Sequence, residues 1–171
     1  MRGALAGVAG VLVLGVLGLQ SVLPAGSSVA VGSEGDVASL ILDHLSIRLL
    51  PLARADVERG LVDARILQIL LLLADRHELT IGPFVTGHSY YVMGTSRPSN
   101  HAFGRAVDIP AVGGAAVSVH NPAALEAALV LGSLPHPLRP DELGAPWPLD
   151  FDGISSFTQG HADHLHVGLH T

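Results

Sequence analysis

The chain has no cysteine among its 171 residues, so no disulfide can hold its fold together. Disulfide scaffolds, thiolate metal sites and cysteine nucleophiles are all excluded. Apolar residues make up 49% of the sequence and charged residues 14%, which is typical of a globular chain and not of a disordered one. Because lysine is absent as well, a phosphate-binding P-loop is excluded. Histidine, with ten copies, is the most informative reactive side chain.

The charge balance argues against a nucleic-acid partner. Nine basic residues, all of them arginine, face fifteen acidic residues, for a net charge of −6. The arginines form no cluster that could make the basic face of a nucleic-acid-binding protein. We therefore expect no nucleic-acid partner.

The first thirty residues are typical of an export signal. Arg2 is followed by an uncharged run over residues 3–19 and then by small and turn-forming residues up to Ala30. This order predicts a secretory signal peptide over residues 1–30. The alternative is an uncleaved membrane anchor through residues 3–23, since such an apolar run is long enough to span a bilayer.

Both alternatives export the remainder of the chain, residues 31–171, which we predict to be a single domain. The length of this part suits one domain with one core. We expect it to be secreted or held at the extracytoplasmic face of the cell envelope, and to be a monomer.

Hydrophobic spacing predicts helices early in this domain and short strands later. Helices are expected over residues 36–50, 55–77 and 121–131, the last opened by an Asn-Pro pair. Strands are expected over residues 79–85, 105–109, 115–120 and 164–169. The order favours an α+β fold with a small, mainly antiparallel sheet flanked by helices.

Residues 133–152 contain five of the eleven prolines and are predicted to form a long loop. Asp141 and Glu142 lie within this segment. We interpret them as a solvated pair of loop charges.

Two segments combine histidine and aspartate in a way that suits a metal ion. They are residues 99–108, SNHAFGRAVD, and residues 161–167, HADHLHV. A catalytic zinc takes three protein ligands from His and Asp or Glu and leaves a fourth position open to water. The residue types therefore fit a zinc site, although spacing alone leaves open that the histidines are incidental.

Alternation along the predicted strands would bring these polar groups together. His164 and His166 project to the same face of their strand, opposite to the apolar residues between and after them. Asp108 likewise faces away from its apolar neighbours. His101 lies in the loop that enters the first strand, where Gly104 permits a tight bend.

The two segments together resemble a known peptidase family. Residues 99–108 match the pattern S-x-H-x-x-G-x-A-x-D, and residues 164–166 supply H-x-H. These motifs resemble those of the zinc D-Ala-D-Ala carboxypeptidase/dipeptidase family, whose wider group includes murein endopeptidases, lysostaphin-type peptidases and the Hedgehog amino-terminal domain. The likeness covers residues 79–169. Within them, residues 85–109 and 139–168 resemble a subgroup that is common in secreted actinobacterial proteins.

The resemblance implies a zinc cleft on one face of the sheet, with His101, Asp108 and His166 as the Zn²⁺ ligands. It implies a zinc metallopeptidase that uses metal-activated water to hydrolyse amide bonds in peptidoglycan stem peptides or cross-links. The expected partner is therefore the peptide part of peptidoglycan.

Three further residues of the second segment match catalytic positions of the family. Asp163 stands where the family usually has a glutamate as general base. His164 matches the first, non-ligating histidine of the H-x-H motif, and His161 matches another active-site histidine. Either Asp163 or His164 could accept the proton from water.

Ser99 is implied as a hydrogen-bonding support for the ligands. Carboxypeptidases of the family carry an upstream arginine for the terminal carboxylate of the substrate, but here His88 and its neighbours occupy that region. Arg97 or Arg105 could replace this arginine, since a planar guanidinium suits a carboxylate. His88 is a candidate for supporting the metal ligands or for contacting the substrate, and carboxypeptidase and endopeptidase action both remain open.

A second hypothesis is a zinc-stabilised binding or signalling domain of the same fold at the cell envelope, without turnover. The Hedgehog relatives illustrate this class. The presence of Asp163 and His164 favours the enzyme, because a binding domain has no use for a general base.

Overall fold

A computed structural model describes residues 34–171 of the chain, and the predicted leader over residues 1–30 lies outside them. The elements, in chain order, are helix α1 (Glu34–Leu42), strand β1 (Ile47–Leu49), helices α2 (Pro51–Glu58) and α3 (Ala64–Ala74), strand β2 (Leu79–Ile81), a 3₁₀ helix (Asn100–Phe103), strands β3 (Ala106–Ile109), β4 (Ala111–Val112) and β5 (Ala115–Ala116), helix α4 (Pro122–Ser133), and strands β6 (Glu142–Gly144), β7 (Ser155–Phe157) and β8 (Leu165–Gly168).

The strands form two sheets of four, in the orders β1-β2-β4-β5 and β3-β8-β6-β7. In each sheet one pair is parallel, β1 with β2 and β6 with β7, and the other pairs are antiparallel. The α+β class is therefore confirmed. Four of the six strand pairs are antiparallel, as expected, but the strands form two small mixed sheets flanked by helices instead of one sheet.

The predicted first helix is too long at its C-terminal end. Helix α1 ends at Leu42, and Ile47 instead opens strand β1, where it pairs with Leu79. Leu45, which the helical spacing placed on the apolar face, is fully exposed. The backbone of this segment finds partners on β2, including Ser46 O, which accepts a hydrogen bond from Leu79 N at 2.7 Å. Pairing between strands thus outweighs the local helical pattern.

The predicted second helix is two helices. Helix α2 ends at Glu58, and Gly60 follows with a φ of +66°, which a helix cannot contain. Asp63 then caps α3 by accepting a hydrogen bond from Arg65 N at 2.9 Å. Apolar spacing does not show this break, because it continues across residues 59–63.

The predicted loop over residues 133–152 contains a strand. Strand β6 lies between β7 and β8, and Glu142 at its start is only 9% exposed. The interpretation of Glu142 as a solvated loop charge is therefore wrong. A strand of three residues is too short to give a readable alternation among the prolines around it.

One face of the second sheet belongs to the apolar core. Val107, Leu143, Leu165 and Val167 are at most 1% exposed and pack in one cluster with the buried side of α3. None of the helices formed by residues 34–171 is both long enough and apolar enough to cross a membrane. The other face of this sheet carries the polar residues described next.

Candidate metal centre

Strand register places the polar residues of the second sheet in two rows on one face. Asp108 of β3 lies opposite His166 of β8, which in turn lies opposite Gly144 of β6. In the neighbouring row Gly168 lies opposite Glu142. Because side chains at directly paired positions share a face, Asp108 and His166 project side by side.

The backbone of Asp108 is also held on its other side by the chain that follows β2. Gly82 N donates to Asp108 O at 2.8 Å, and Asp108 N donates to Pro83 O at 3.3 Å. These two bonds connect β3 to the first sheet. The carboxylate is therefore positioned from both edges of its strand.

His101 reaches the same point from the 3₁₀ helix. Ser99 begins this helix by accepting a hydrogen bond from His101 N at 3.3 Å, and Gly104 ends it with a φ of +68°. A Cβ atom at position 104 would overlap the carbonyl group of Leu61, so only glycine fits there. The imidazole of His101 is completely buried.

Three ligand atoms meet at nearly equal distances. His101 Nε2 lies 3.2 Å from His166 Nδ1 and 3.3 Å from Asp108 Oδ1. His166 Nδ1 lies 3.1 Å from Asp108 Oδ1. A tetrahedral ion bound at about 2.0–2.2 Å separates its ligand atoms by about 3.3–3.6 Å. The triangle is therefore close to the size that one zinc-like cation requires.

Hydrogen bonds set the tautomer of His101 for this role. His101 Nδ1 is 2.6 Å from the carbonyl oxygen of Phe84, which can only accept, so Nδ1 carries the proton. The lone pair of Nε2 then points to the shared space. A metal-binding histidine commonly has its other ring nitrogen tied in this way.

The same contacts keep Asp108 ionised. Burial by itself would raise the pKa of Asp108, but hydrogen bonds and charge from His101 and His166 outweigh it and hold the pKa well below its usual range. For His166, burial would lower the pKa, and hydrogen bonds to Asp108 and Glu142 raise it instead. The site therefore offers a carboxylate anion between two imidazoles.

His88 lies against the same group. Its ring stacks on that of His101 with centroids 3.7 Å apart and planes 12° apart. The ligand atoms of His88, His101 and Asp108 all lie within 4.8 Å of one another, so this partly to fully buried group could hold a metal ion. His88 Nδ1 donates to Ser89 O at 2.8 Å, and burial is the main reason that its pKa is lowered. Its Nε2 is therefore available as a neutral base or ligand.

The predicted catalytic residues lie at the edge of this cluster in unequal positions. His164 Nε2 is 3.7 Å from Asp108 Oδ1, whereas the side chain of Asp163 is 86% exposed and contacts His164 Nδ1 at 2.8 Å. The ring of His161 is 4.7 Å from that of His164 and 5.5 Å from that of His166. His164 therefore faces the cluster, and Asp163 orients it from outside.

Of the three residues predicted to support the ligands or bind the substrate, two lie near the cluster and one does not. Ser99 holds the backbone of His101, as described, and Arg97 Nη1 lies 3.3 Å from Glu142 Oε1. Arg105 is placed elsewhere, with its guanidinium 4.8 Å above the ring of Phe103. Arg105 directly precedes β3. If the alternation of β3 is continued back by one residue, Arg105 projects to the face opposite to Asp108, so it is not brought to the cluster.

Two residues beside His166 were missed at the level of the sequence. Glu142 Oε2 lies 3.7 Å from His166 Nε2, and Asn100 Nδ2 donates to the same oxygen at 2.9 Å. No local signal identifies Glu142, because residues 142–144 are too few to show an alternation between Pro140 and Pro146. Comparison of the chain with protein-family models, with curated proteins and with solved structures finds no match.

Proposed function

We propose that this protein is a zinc-dependent peptidase that hydrolyses amide bonds in the peptide part of peptidoglycan, outside the cytoplasm. The observation that carries the proposal is the triangle of His101 Nε2, Asp108 Oδ1 and His166 Nδ1, with sides of 3.1–3.3 Å. The resemblance of both motifs to zinc peptidases supports the same ligands and the substrate class.

The donor set fits zinc better than a harder cation. Two imidazole nitrogens and one carboxylate oxygen are typical of catalytic zinc sites, whereas magnesium and calcium take mostly oxygen ligands. When bound here, zinc would supply a lowered pKa for water and polarisation of the scissile carbonyl.

His164 is the general base of the proposed reaction. Its Nδ1 proton is held by Asp163, so Nε2 on the cluster side has a free lone pair. This nitrogen can accept a proton from the attacking water and return it to the leaving amine. Asp163, being exposed and bonded to Nδ1, orients the ring and does not itself face the reacting atoms.

His161 completes the wall of the site. Its Nδ1 donates to Gln159 O at 2.7 Å, which leaves Nε2 as an acceptor, and burial is the main cause of its lowered pKa. A Cβ atom at position 144 would overlap the His161 ring, so Gly144 makes room for it. The proposed role of His161 is contact with the substrate next to His164.

The test is metal content together with peptide release from purified peptidoglycan. The wild-type protein should bind one zinc ion and release peptides, and His166→Ala should do neither. His120→Ala is the matched control, because His120 is an exposed histidine outside the cluster. Equal release by the wild type and His166→Ala would overturn the mechanism.

A second candidate function is a metal-stabilised binding domain without turnover. The observation in its favour is the position of His88, since a fourth protein ligand would close the site to water. If His88 is a ligand, His88→Ala should weaken zinc binding and change the visible spectrum of the cobalt-loaded protein. If the site is an open catalytic one, zinc affinity should be unchanged in this variant.

A further inference from the structure

Glu142 is a buried carboxylate on the same sheet face as the candidate metal centre. It is 9% exposed, and strand β6 places it beside His166 on β8. A carboxylate in such a position must be paired or hydrogen-bonded to remain there. The residues that pair with the Glu142 carboxylate therefore indicate its role.

Donors from different parts of the chain surround this carboxylate. Asn100 Nδ2 donates to Oε2 at 2.9 Å, and Arg97 Nη1 donates to Oε1 at 3.3 Å. His170 Nε2 is 3.5 Å from Oε1, and His166 Nε2 is 3.7 Å from Oε2. The guanidinium and the amide both donate to Glu142, which suits an ionised carboxylate that can only accept.

Glu142 contacts the nitrogen of His166 that faces away from the ligand triangle. Nδ1 of that ring lies in the triangle and Nε2 lies next to Glu142. A metal ion in the triangle would take the lone pair of Nδ1 and leave the ring proton on Nε2, and an anion beside Nε2 favours that tautomer. Its negative charge also makes Nδ1 a stronger electron donor.

The absence of a side chain at Gly168 leaves room for Glu142 to approach His166. A Cβ atom at position 168 would lie 3.0 Å from Glu142 Oε2 and 3.2 Å from His166 Nε2. Since Gly168 lies in the regular strand β8, its lack of a side chain serves close approach and not an unusual backbone angle.

We propose that Glu142, held by Asn100 and Arg97, is a positioning residue that fixes the ring and the tautomer of His166 and thereby tightens metal binding. This inference rests on the proposed metal site. Glu142 is not a catalytic residue, because it lies behind His166 and away from the ligand atoms.

The experiment compares Glu142→Gln with Asp141→Asn in the full chain. Asp141 is the matched control, since it is the adjacent carboxylate but contacts His170 N and not His166. Zinc affinity is measured by competition with a chromophoric chelator, ligand geometry by the visible absorption of the cobalt-loaded protein, and folding by the unfolding temperature without metal. We expect Glu142→Gln to bind zinc about 10–100-fold more weakly and to change the cobalt spectrum. Asp141→Asn should match the wild type in both.

Gly168→Ala gives an independent version of the test. It keeps the charge of Glu142 but inserts a methyl group between Glu142 and His166, and it should weaken zinc binding in the same direction. Wild-type affinity and an unchanged cobalt spectrum in Glu142→Gln would overturn the inference alone. A wild-type protein that binds no zinc would overturn the metal site itself and the inference with it.

Discussion

The two faces of strands β3, β6 and β8 carry opposite kinds of side chains, although those residues are neighbours in the chain. Toward the core, Val107, Leu143 and Val167 form one apolar row across the three strands. On the other face, the next row along contains Asp108 and His166. The core face is held by shape and burial, which are not directional. The polar face depends on distances of about 3 Å that hydrogen bonds from outside the sheet must maintain.

This difference teaches that stability and chemistry can be changed separately at adjacent positions. A substitution on the core face should lower the free energy of unfolding and leave the chemistry of the folded molecules alone. A substitution on the polar face should change metal binding and chemistry, and it should change the free energy of unfolding mainly through the loss of bound metal. The separation should be visible in four measurements, whose expected effects decrease in size from His164 to Asp56.

The largest effect is expected for His164→Ala on the polar face. Loss of the proposed general base should lower kcat about 10²–10⁴-fold, because proton transfer by a positioned side chain contributes that much. Zinc content should stay at the wild-type level, since His164 is outside the ligand triangle. Steady-state hydrolysis and metal analysis check this, and loss of zinc from the variant would place His164 among the ligands instead.

The adjacent substitution, Leu165→Ala, should have the opposite character. Leu165 is completely buried, so truncation should lower the free energy of unfolding by about 2–5 kcal/mol. Urea unfolding measures this loss. Per folded molecule, zinc affinity and kcat should equal the wild-type values. A large fall in kcat at full zinc occupancy would show that the two faces are coupled.

Added zinc should stabilise the protein only through the polar face. At a free concentration of 100 times Kd, binding to the native state adds about 2.7 kcal/mol to the free energy of unfolding. The wild type and Leu165→Ala should gain the same increment, and His166→Ala should gain none. Thermal unfolding with zinc and with a chelator makes the comparison, and equal stabilisation of all three would disprove a specific site.

The smallest effect is expected at Asp56, which connects the core to the polar face. This carboxylate in α2 accepts hydrogen bonds from Val85 N at 2.9 Å, Thr86 N at 2.8 Å and Thr86 Oγ1 at 2.6 Å, just before His88. Asp56→Asn should cost about 1–3 kcal/mol at neutral pH, because it leaves a buried donor facing other donors.

The cost at Asp56 should depend on pH in a defined direction. Burial would raise the pKa of Asp56, but the hydrogen bonds from Thr86 and Val85 lower it below its ordinary value. A lowered pKa in the folded state gives stability that is present above the unfolded pKa of about 3.9 and is lost as the pH falls further. The difference between wild type and Asp56→Asn should therefore shrink below about pH 4 in urea titrations, and a constant difference would contradict the assignment.

The sequence predicted the polar face of β3 and β8 better than it predicted the helices. Alternation around Asp108 and His166 has a period of two, and the motifs supplied both positions, so their meeting in space was expected. Their role as zinc ligands stays a prediction. Helical spacing was misleading at Ile47, because an apolar residue fits a helix and a strand equally well until the pairing with Leu79 is known.

Glu142 and Asn100 show what a local pattern does not contain. They are 42 positions apart, and they meet because β6 and the 3₁₀ helix are brought together in the fold. The proline-rich segment hides the strand that carries Glu142, and nothing near Asn100 indicates a carboxylate partner. Contacts of this kind depend on strand order, which hydrophobic periodicity does not determine.

The central place of β8 has a consequence for how the gene of such a protein can vary. Inserting or deleting one codon within residues 106–109 or within residues 165–168 would shift the β3–β8 pairing by one step, and it would turn Asp108 in the first case or His166 in the second toward the interior. A change of length in the connection between β6 and β7, residues 145–154, leaves both registers intact. The two short strands should therefore keep a fixed number of residues.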